Sequence, residues 1–469
     1  MTFLAEPTGG AKLVPALTYA ALSTAVVSSL GMLLVPSVSL EMNVTIGTAQ
    51  WMLTINLLVG AIATPIMGRF GDGPGKRRLL LWALSIILAG SVLAALAPTF
   101  ELFLVGRALQ GLTYGIVPIA ISLARRYVAP ARAQIAISGL SVSVATGLGI
   151  GYPLTGVIAG FLNFRFAFWF AALFVVTAII VVVLIVPAGP DHDVPRLPFD
   201  YRGAGLLGLG LGTLLLAVSE GPNWSWSSPW TIGAFALAAA LLVAWVYSGL
   251  RTRHPLINLR ALRRGDVLLA NLTAVGLGAT LYLGLSISSL VAQAPDSTSY
   301  GIGLPVFWAG FVMLPLSVGS FSANRLVRRF THRVSLEALL PIGAGLMTSA
   351  GILLWLAHTE FWAILTGMLV FGLGMGSSYA AMPVLIARSV AADELGSSVS
   401  FNQVLRTVGS SIGTAVSGAV LAAHMTSDLY PSDAGISMTF AIAAVLCGTL
   451  FTSLLIRAAI VRHGRSNGR

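Results

Sequence analysis

The amino-acid sequence predicts an all-α, polytopic membrane protein. Of its 469 residues, 56% are hydrophobic and only 9% are charged, whereas a soluble domain carries about 25% charged residues. Apolar runs of about 20 residues, each long enough to cross a bilayer core as a helix, recur along the whole chain. A transmembrane barrel would instead show alternating segments of about ten residues.

Fourteen apolar runs follow one another. The predicted spans are 15–36, 50–69, 79–98, 101–124, 133–161, 164–187, 203–220, 231–250, 267–292, 304–323, 337–357, 361–387, 396–423 and 435–460. The first run is too long for a secretory signal core and is interpreted as a retained helix. Cys447 is the one cysteine, so a disulfide within the chain is excluded.

The placement of positive charge predicts the orientation. With a cytoplasmic N-terminus, all but three of the 27 Lys and Arg fall in cytoplasmic loops or in the two tails. The exceptions are Arg165 in an outer loop and Arg107 and Arg406 inside spans. This positive-inside pattern explains the net charge of +11 without a nucleic-acid partner. We expect a multi-pass protein of the cell membrane with both termini in the cytoplasm.

The stretch GRFGDGPGKRR, residues 68–78, joins the second and third spans. It is not a phosphate-binding P-loop, because its flanks are predicted helices and Arg77 stands where the Mg²⁺-binding hydroxyl belongs. The carboxylate of Asp72 can accept hydrogen bonds from a helix N-terminus in one conformation and lose them in another. We expect a conformational latch; the alternative is a turn with one solvated acid. The latch residues are Gly68, Gly71, Asp72, Gly75, Lys76 and Arg77.

Two arginines are predicted to lie deep in the membrane. Arg107 in the fourth span and Arg406 in the thirteenth each cost about 2.5–3.5 kcal/mol on insertion scales, so each should face protein or a wet cavity. Each either lines a transport path or binds backbone carbonyls as a structural hub. The polar residues expected to share a path with them are Asn56, Gln110, Tyr114, Asn402 and Gln403, with Asn271, Tyr282 and Tyr379 as further candidates.

Glycines one helical turn apart cluster on the fifth span and recur on the thirteenth. Such spacing lets helix backbones approach closely, and Pro153 removes a backbone hydrogen bond and favours a kink. We expect a hinge at which helices rock against one another, with plain helix packing as the alternative. Its residues are Gly147, Gly151, Pro153, Gly156 and Gly160, and Gly409 and Gly413 repeat the spacing.

Several stretches together resemble the major facilitator superfamily, and specifically its fourteen-helix drug:proton antiporter branch. GRFGDGPGKRR is similar to the family's loop signature, roughly G-x-L-A-D-R-x-G-R-R, with Gly73 where the family usually has Arg. LVGRALQG (104–111) is similar to a fourth-span motif whose arginine faces the transport path, and GLGIGYPLTGVIAG (147–160) to a fifth-span antiporter motif. FDYRGAG (199–205) and HPLINLRALRR (254–264) resemble the stretches that bracket the branch's extra spans.

The resemblance implies two six-helix bundles joined by two extra central helices, with a substrate bound at the midplane and exposed to each side in turn. It divides the chain into a cytoplasmic tail, a bundle, the extra spans with their linkers, a second bundle and a basic tail. These parts are 1–14, 15–187, 188–266, 267–460 and 461–469. No metal or other cofactor is expected.

The first span departs from the pattern of this branch. Aligned on Pro36, Val27 stands where the drug:proton antiporters carry an acid, and no Asp, Glu or His lies deep in any predicted span. Arginine does not release a proton near neutral pH, so coupling to protons is left open. An organic cation would meet Arg107 without a buried carboxylate, so a neutral or anionic substrate is favoured.

We therefore expect a secondary transporter that exports small amphipathic molecules or drugs by alternating access, and not an enzyme. One alternative is a transport-inactive or lipid-handling relative that acts as a sensor, because the first-span signature has decayed. A membrane-embedded enzyme is less favoured, since PDHD (190–193) is the one acidic and histidine cluster at a loop.

The orientation can be tested by cysteine labelling. In a Cys447→Ala background, single cysteines at Ser228 and Ser427 should react with an impermeant maleimide added to intact cells, because both loops are predicted to be external. A cysteine at Ser335 should stay unlabelled until the cells are permeabilised. Labelling at Ser335 together with silence at the other two positions would contradict the predicted topology.

Overall fold

The computed structural model describes residues 10–188, 198–263, 265–330, 335–426 and 430–466. Within these ranges, regular structure is helical apart from one isolated bridge between Met425 and Pro431. The prediction of an all-α chain is confirmed. The PDHD cluster and Ser427 lie outside the described residues.

The N-terminal part of the chain, up to residue 188, forms helices α1 to α8. A short 3₁₀ turn, Met32–Leu34, separates the first two helices. The helices are α1 (Gly10–Ser29), α2 (Val35–Glu41), α3 (Ile46–Asp72), α4 (Lys76–Leu96), α5 (Phe100–Gln110), α6 (Thr113–Tyr127), α7 (Pro130–Phe161) and α8 (Arg165–Ile185).

Two central helices follow and are called the extra pair below. They are α9 (Tyr201–Trp224) and α10 (Pro229–Arg251), which pack against each other. The C-terminal part then contains α11 (Gly265–Gln293), α12 (Val306–Phe311), α13 (Leu314–Phe330), α14 (Leu336–Ala357), α15 (Phe361–Ser389), α16 (Leu395–Ala423) and α17 (Asp433–Ser466).

Twelve helical segments of the described chain are long and apolar enough to cross a membrane, so the chain is a multi-pass membrane protein. The predicted spans 15–36 and 304–323 are not among the twelve. The first is interrupted after Ser29, where the chain enters a turn at Gly31. The second is divided into α12 and α13, because Pro315 has no N–H with which to continue α12. The count of fourteen stays a prediction.

The helices before and after the extra pair pack in two similar sets. In the N-terminal set, α1 packs on α7 and α8; in the C-terminal set, α11 packs in the same way on α16 and α17. The two sets meet reciprocally, since α3 contacts α16 while α7 contacts α12 and α13. One seam between the sets is therefore formed by α3 and α16. The other is formed by α7 with α12 and α13.

The glycines of α7 serve two different contacts. A Cβ at Gly147 or Gly151 would collide with α1 at Ala25 or Ser29, so this pair lies inside the N-terminal set. A Cβ at Gly160 would lie 3.2 Å from Phe307 of α12. The α7 helix is therefore close-packed on its own set and on the opposite one. The helix runs unbroken through Pro153.

The remaining glycines of the proposed hinge follow the same division. Gly156 and Pro153 lie beside Gly310 of α12, where a Cβ on Gly310 would come 3.1 Å from the Gly156 Cα. By contrast, Gly409 and Gly413 of α16 lie against Val275 and Ala279 of α11 within the C-terminal set. The seam between the sets thus contains Pro153, Gly156 and Gly160, while the hinge role itself stays a prediction.

The extra pair is tied to both sets near its linkers. Phe199, just before α9, stacks on Phe70 of α3 with ring centroids 4.9 Å apart. Asn258, in the linker after α10, donates from Nδ2 to the Glu394 Oε1 at 2.8 Å, directly before α16. The Asp200 carboxylate joins the start of α9 to the linker after α10, because it accepts from the backbone N–H of Gly203 and of Leu256.

Candidate transport cavity

A cavity of about 500 Å³ lies between the two sets of helices. Its lining combines residues of α1, α3, α5, α6 and α7 with residues of α11 and α16, so neither set forms it alone. The cavity extends to Gln50, in the first turns of α3, and to Gln293, the last residue of α11. It therefore reaches the ends of these helices that lie opposite Asp72.

A smaller cavity of about 40 Å³ continues from the first toward Asp72. On α16, the larger cavity is lined by Ser411, Thr414 and Gly418, whereas the smaller one is lined by Gln403 and Arg406, which are nearer the start of the helix. The smaller cavity is thus the narrow inner end of the larger one.

Arg107 is fully buried and bound to its own set of helices. Its Nε donates to the Met52 carbonyl at 3.1 Å, and its Nη1 donates to the Gln110 Oε1 at 2.6 Å. Gln110 in turn donates to Ser91 Oγ at 2.8 Å, and Asn56 donates to the Arg107 carbonyl at 3.1 Å. Arg107 and Asn56 nevertheless also line the larger cavity. Arg107 thus binds its own helix set and also lines the cavity, while its role in a transport path stays a prediction.

The first-span position aligned with the family's acid does not line either cavity. Val27 is fully buried within the main hydrophobic core, to which both sets contribute. The neighbour of Arg107 on this segment is Gly31, where an added Cβ would lie 2.9 Å from the Arg107 Nη2. Gly31 therefore leaves the space that the guanidinium occupies.

Arg406 lies among tyrosines at the inner end of the cavity. Its Cζ lies 4.1 Å from the centroid of the Tyr379 ring, a distance at which the ring face attracts the cation. Tyr114 and Tyr282 line the same small cavity. Because Tyr114 belongs to α6 and Tyr282 to α11, the two side chains come from opposite sets.

The other predicted path residues divide between the cavities and the packing around them. Gln403 lines the smaller cavity, and Tyr114 lines both. Gln110 is held between Arg107 and Ser91, away from the lining. Asn402 donates to the Ala270 carbonyl and to the Asn271 Oδ1, each at 3.0 Å, and so joins α16 to α11. Asn402 and Asn271 are thus packing residues in this conformation.

The lining of the cavities carries positive charge without a matching acid. Arg107 contributes to the larger cavity and Arg406 to the smaller one, and none of the described residues that line either is Asp or Glu. The remaining polar lining consists of hydroxyl and amide side chains. Such a lining suits a partner with electron-rich atoms and an apolar body.

Asp72 closes the opposite end by capping a helix of the other set. Its Oδ1 accepts from the Gly396 N–H at 2.5 Å and its Oδ2 accepts from the Ser397 N–H at 2.9 Å, at the start of α16. The first N–H groups of a helix have no partner within the helix, and the helix dipole favours negative charge there. We call these two hydrogen bonds the Asp72 cap.

The neighbours of Asp72 make the cap sterically possible. A side chain at Gly68 would collide with Ser400, and one at Gly396 would lie 2.6 Å from the Gly68 carbonyl, so α3 and α16 touch through backbone. Gly75 has φ +81°, a left-handed conformation that favours glycine, and it turns the chain into α4. Gly71 faces Ile119 of α6.

The two cations of the turn donate to backbone carbonyls of the N-terminal set. Lys76 Nζ donates to the Asp72 carbonyl at 3.2 Å and to the Gly73 carbonyl at 2.7 Å. Arg77 Nη2 donates to the Val183 carbonyl, near the end of α8, at 2.6 Å. All six residues expected in the latch thus lie at one end of the molecule, while their role as a latch stays a prediction.

Two further ties at this end were not singled out from the sequence. Arg125 of α6 donates from Nη1 to the Ala387 carbonyl at 2.6 Å, at the end of α15. Arg388 donates from Nη2 to the Gln134 Oε1 of α7 at 2.9 Å. A cation in the last turn of a helix predicts hydrogen bonds to carbonyls there. The sequence has many other cations in its loops, so these two could not be distinguished from them.

Comparison with known proteins identifies the family. Residues 16–200 and 201–414 match the Major Facilitator Superfamily. The Multidrug resistance protein B homolog of Mycobacterium tuberculosis is 27% identical over 387 residues, which cover 80% of this chain and 70% of that protein. The Multidrug export protein EmrB of Escherichia coli is 21% identical over 421 residues, covering 88% and 80%. An uncharacterised MFS-type transporter of Mycobacterium tuberculosis is 25% identical over 395 residues, which cover 82% of this chain and 56% of that protein.

The fold is also similar to a solved structure. The crystal structure of the human organic anion transporter MFSD10 (TETRAN) aligns with 95% of this chain and 99% of its own, with a TM-score of 0.69 and 15% identity. At this identity the similarity concerns the fold alone. The family match covers most of the sequence, and the resemblance stated from its motifs is confirmed. This chain belongs to the Major Facilitator Superfamily, is similar to its multidrug-efflux members, and is a membrane transporter rather than an enzyme.

Proposed function

We propose that this chain is a secondary transporter that exports small amphipathic molecules from the cytoplasm by alternating access. The observation that carries the proposal is the cavity between the two helix sets, which narrows toward the end that the Asp72 cap holds together. In this proposal the Asp72 end is cytoplasmic, both termini are cytoplasmic, and the structure represents the state closed to the cytoplasm.

The substrate class follows from the lining. Two arginines and no described acid favour neutral or anionic molecules over organic cations, because a cation would approach Arg107 and Arg406 without a counter-charge. The tyrosine rings and the apolar lining provide contacts for an aromatic or aliphatic body. The named multidrug relatives support the drug-like character of the substrate, while the charge preference rests on this chain's own side chains.

The proposal is tested by flux in proteoliposomes. Fluorescein, an amphipathic anion, and chloramphenicol, a neutral amphipathic molecule, should both be carried by the purified chain, and protein-free vesicles serve as the control. An imposed pH gradient should change the flux less than about twofold, because no described lining residue is an acid that could carry the proton. Absence of flux for both probes would contradict the transport proposal, and strong pH-driven flux would contradict weak coupling.

The Asp72 cap is tested by Asp72→Asn, which keeps the size of the side chain and removes its charge. An amide can accept only one of the two N–H groups well, so the state closed at this end should lose about 1–3 kcal/mol, typical of a charge-assisted hydrogen bond. We expect turnover to fall about 5- to 100-fold, with a smaller change in substrate affinity.

Asp266→Asn is the matched control for this variant. Asp266 lies in the first turn of α11, and its Oδ2 accepts from Ser389 of α15, so its hydrogen bond stays within the C-terminal set. This control should leave turnover within about twofold. Equal turnover in Asp72→Asn and in the unmodified chain would mean that the Asp72 cap is a structural contact without a latch function.

The role of Arg107 is tested by Arg107→Gln and Arg107→Lys. Fluorescein flux should fall about tenfold or more in Arg107→Gln, since a charged hydrogen bond typically contributes about 1.5–3 kcal/mol. Chloramphenicol flux should fall less, because that molecule carries no charge. Arg107→Lys should retain part of the fluorescein flux, since Lys keeps the charge and loses the planar fork.

Arg165→Gln controls for the loss of a guanidinium bound to backbone. Arg165 donates to the Ala95 and Ala97 carbonyls at 3.1 and 2.7 Å and does not line the cavity. Thermal unfolding should shift by a similar amount in both Gln variants if only structural hydrogen bonds are lost. If fluorescein and chloramphenicol flux fell equally in Arg107→Gln, Arg107 would have only a structural role.

A further inference from the structure

The extra pair does not lie apart from the two helix sets. Near the middle of α3, Gly208 and Gly212 of α9 pack against Ile62, with an added Cβ 3.2 and 3.4 Å from it. Leu211 of the same helix shares a hydrophobic cluster with Val404 of α16. The α9 helix therefore occupies the groove between α3 and α16, one from each set.

Farther from Asp72, the same helix reaches the cavity. Leu215, Val218, Ser219 and Pro222 of α9 are part of the lining of the 500 Å³ cavity. The Ser219 hydroxyl lies 3.0 Å from the Thr54 hydroxyl of α3, which lines the cavity as well. A hydroxyl without such a partner would be unfavourable in a hydrocarbon environment, so this hydrogen bond fits a position at the edge of a polar space.

The α9 helix lines the cavity on the side where α3 and α16 both border it. The two helices touch through Gly68 and Gly396 at the Asp72 end, whereas at the other end Thr54 and Thr414 both line the cavity. Between those two positions the lining is completed by α9. Without α9, the polar lining on this side would face lipid tails, which offer no hydrogen bonds.

We propose that α9 is a wall of the substrate cavity and that Val218 and Ser219 set the size and polarity of the molecules it accepts. The inference rests on the proposed transport of small amphipathic molecules, and it assigns a role in specificity to a helix outside the two sets. Val218 presents an apolar surface, while Ser219 shares a hydroxyl pair with Thr54 that can exchange hydrogen bonds with a substrate. An increase in side-chain volume here should exclude larger substrates first.

The position of α9 is tested without any transport measurement. In a Cys447→Ala background, Ser219→Cys should react with a charged methanethiosulfonate reagent at least tenfold faster than Leu237→Cys. Leu237 lies on α10 with 54% of its surface exposed and is not part of the cavity lining, so its thiol should face lipid, where the reactive thiolate is disfavoured. Equal, slow labelling of both cysteines would overturn the proposal.

The role in specificity is tested with two probes of equal charge and different size. The probes are fluorescein and its larger tetraiodo derivative. The flux of the tetraiodo derivative divided by the flux of fluorescein should fall about tenfold in Ser219→Phe and stay unchanged in Leu237→Phe. Ser219→Ala, which adds no volume to the wall, should raise flux of the more apolar tetraiodo probe relative to fluorescein. An unchanged ratio in both Ser219 variants would overturn the role. Absence of flux in the unmodified chain would contradict the proposed function, while the labelling result would still decide where α9 lies.

Discussion

The contact on which the arrangement of the two helix sets depends is the carboxylate of Asp72 at the start of α16. It provides acceptors for two N–H groups that the helix cannot satisfy itself, and it does so across the boundary between the sets. The close approach of Gly68 and Gly396 brings the backbones near enough for this to happen. If the two backbones were farther apart, the carboxylate could not reach those N–H groups, and water would bind them instead. The two helices would then not be joined at this end.

Closure at one end determines the shape of the space at the other. The α3 and α16 helices are close-packed at Gly68, and the larger of the two cavities lies farther from Asp72 than the smaller one. The narrow end is lined by Arg406 and the tyrosines, and the wide end by hydroxyl and amide groups beside Arg107. Each arginine comes from a different set, so a bound molecule that contacts both connects the two sets directly.

Features that depend on local patterns could be predicted, and those that depend on distant partners could not. Hydrophobic runs and arginine placement predicted membrane helices, and the single acid in a glycine-rich turn pointed to a helix cap. The partner of that acid, Gly396, is 324 residues away in the chain and has no local signal. Asn402 was expected in the path because a polar side chain in an apolar helix can face either a cavity or a neighbouring helix. Only the position of α11 shows that Asn402 faces a neighbouring helix, since Asn271 of α11 accepts the Asn402 hydrogen bond.

The two attachments of the extra pair have a consequence for the surrounding bilayer. Phe199 stacks on Phe70 of one set, and Asn258 binds Glu394 of the other. If the two sets moved apart at the Asp72 end, as the proposed alternating access requires, a break in one attachment would leave the extra pair bound to the other set. The two moving bodies would then differ in cross-section, and lipid would be displaced more on one side of the protein than on the other. The lateral pressure of the membrane would in that case contribute to the free-energy difference between the two states.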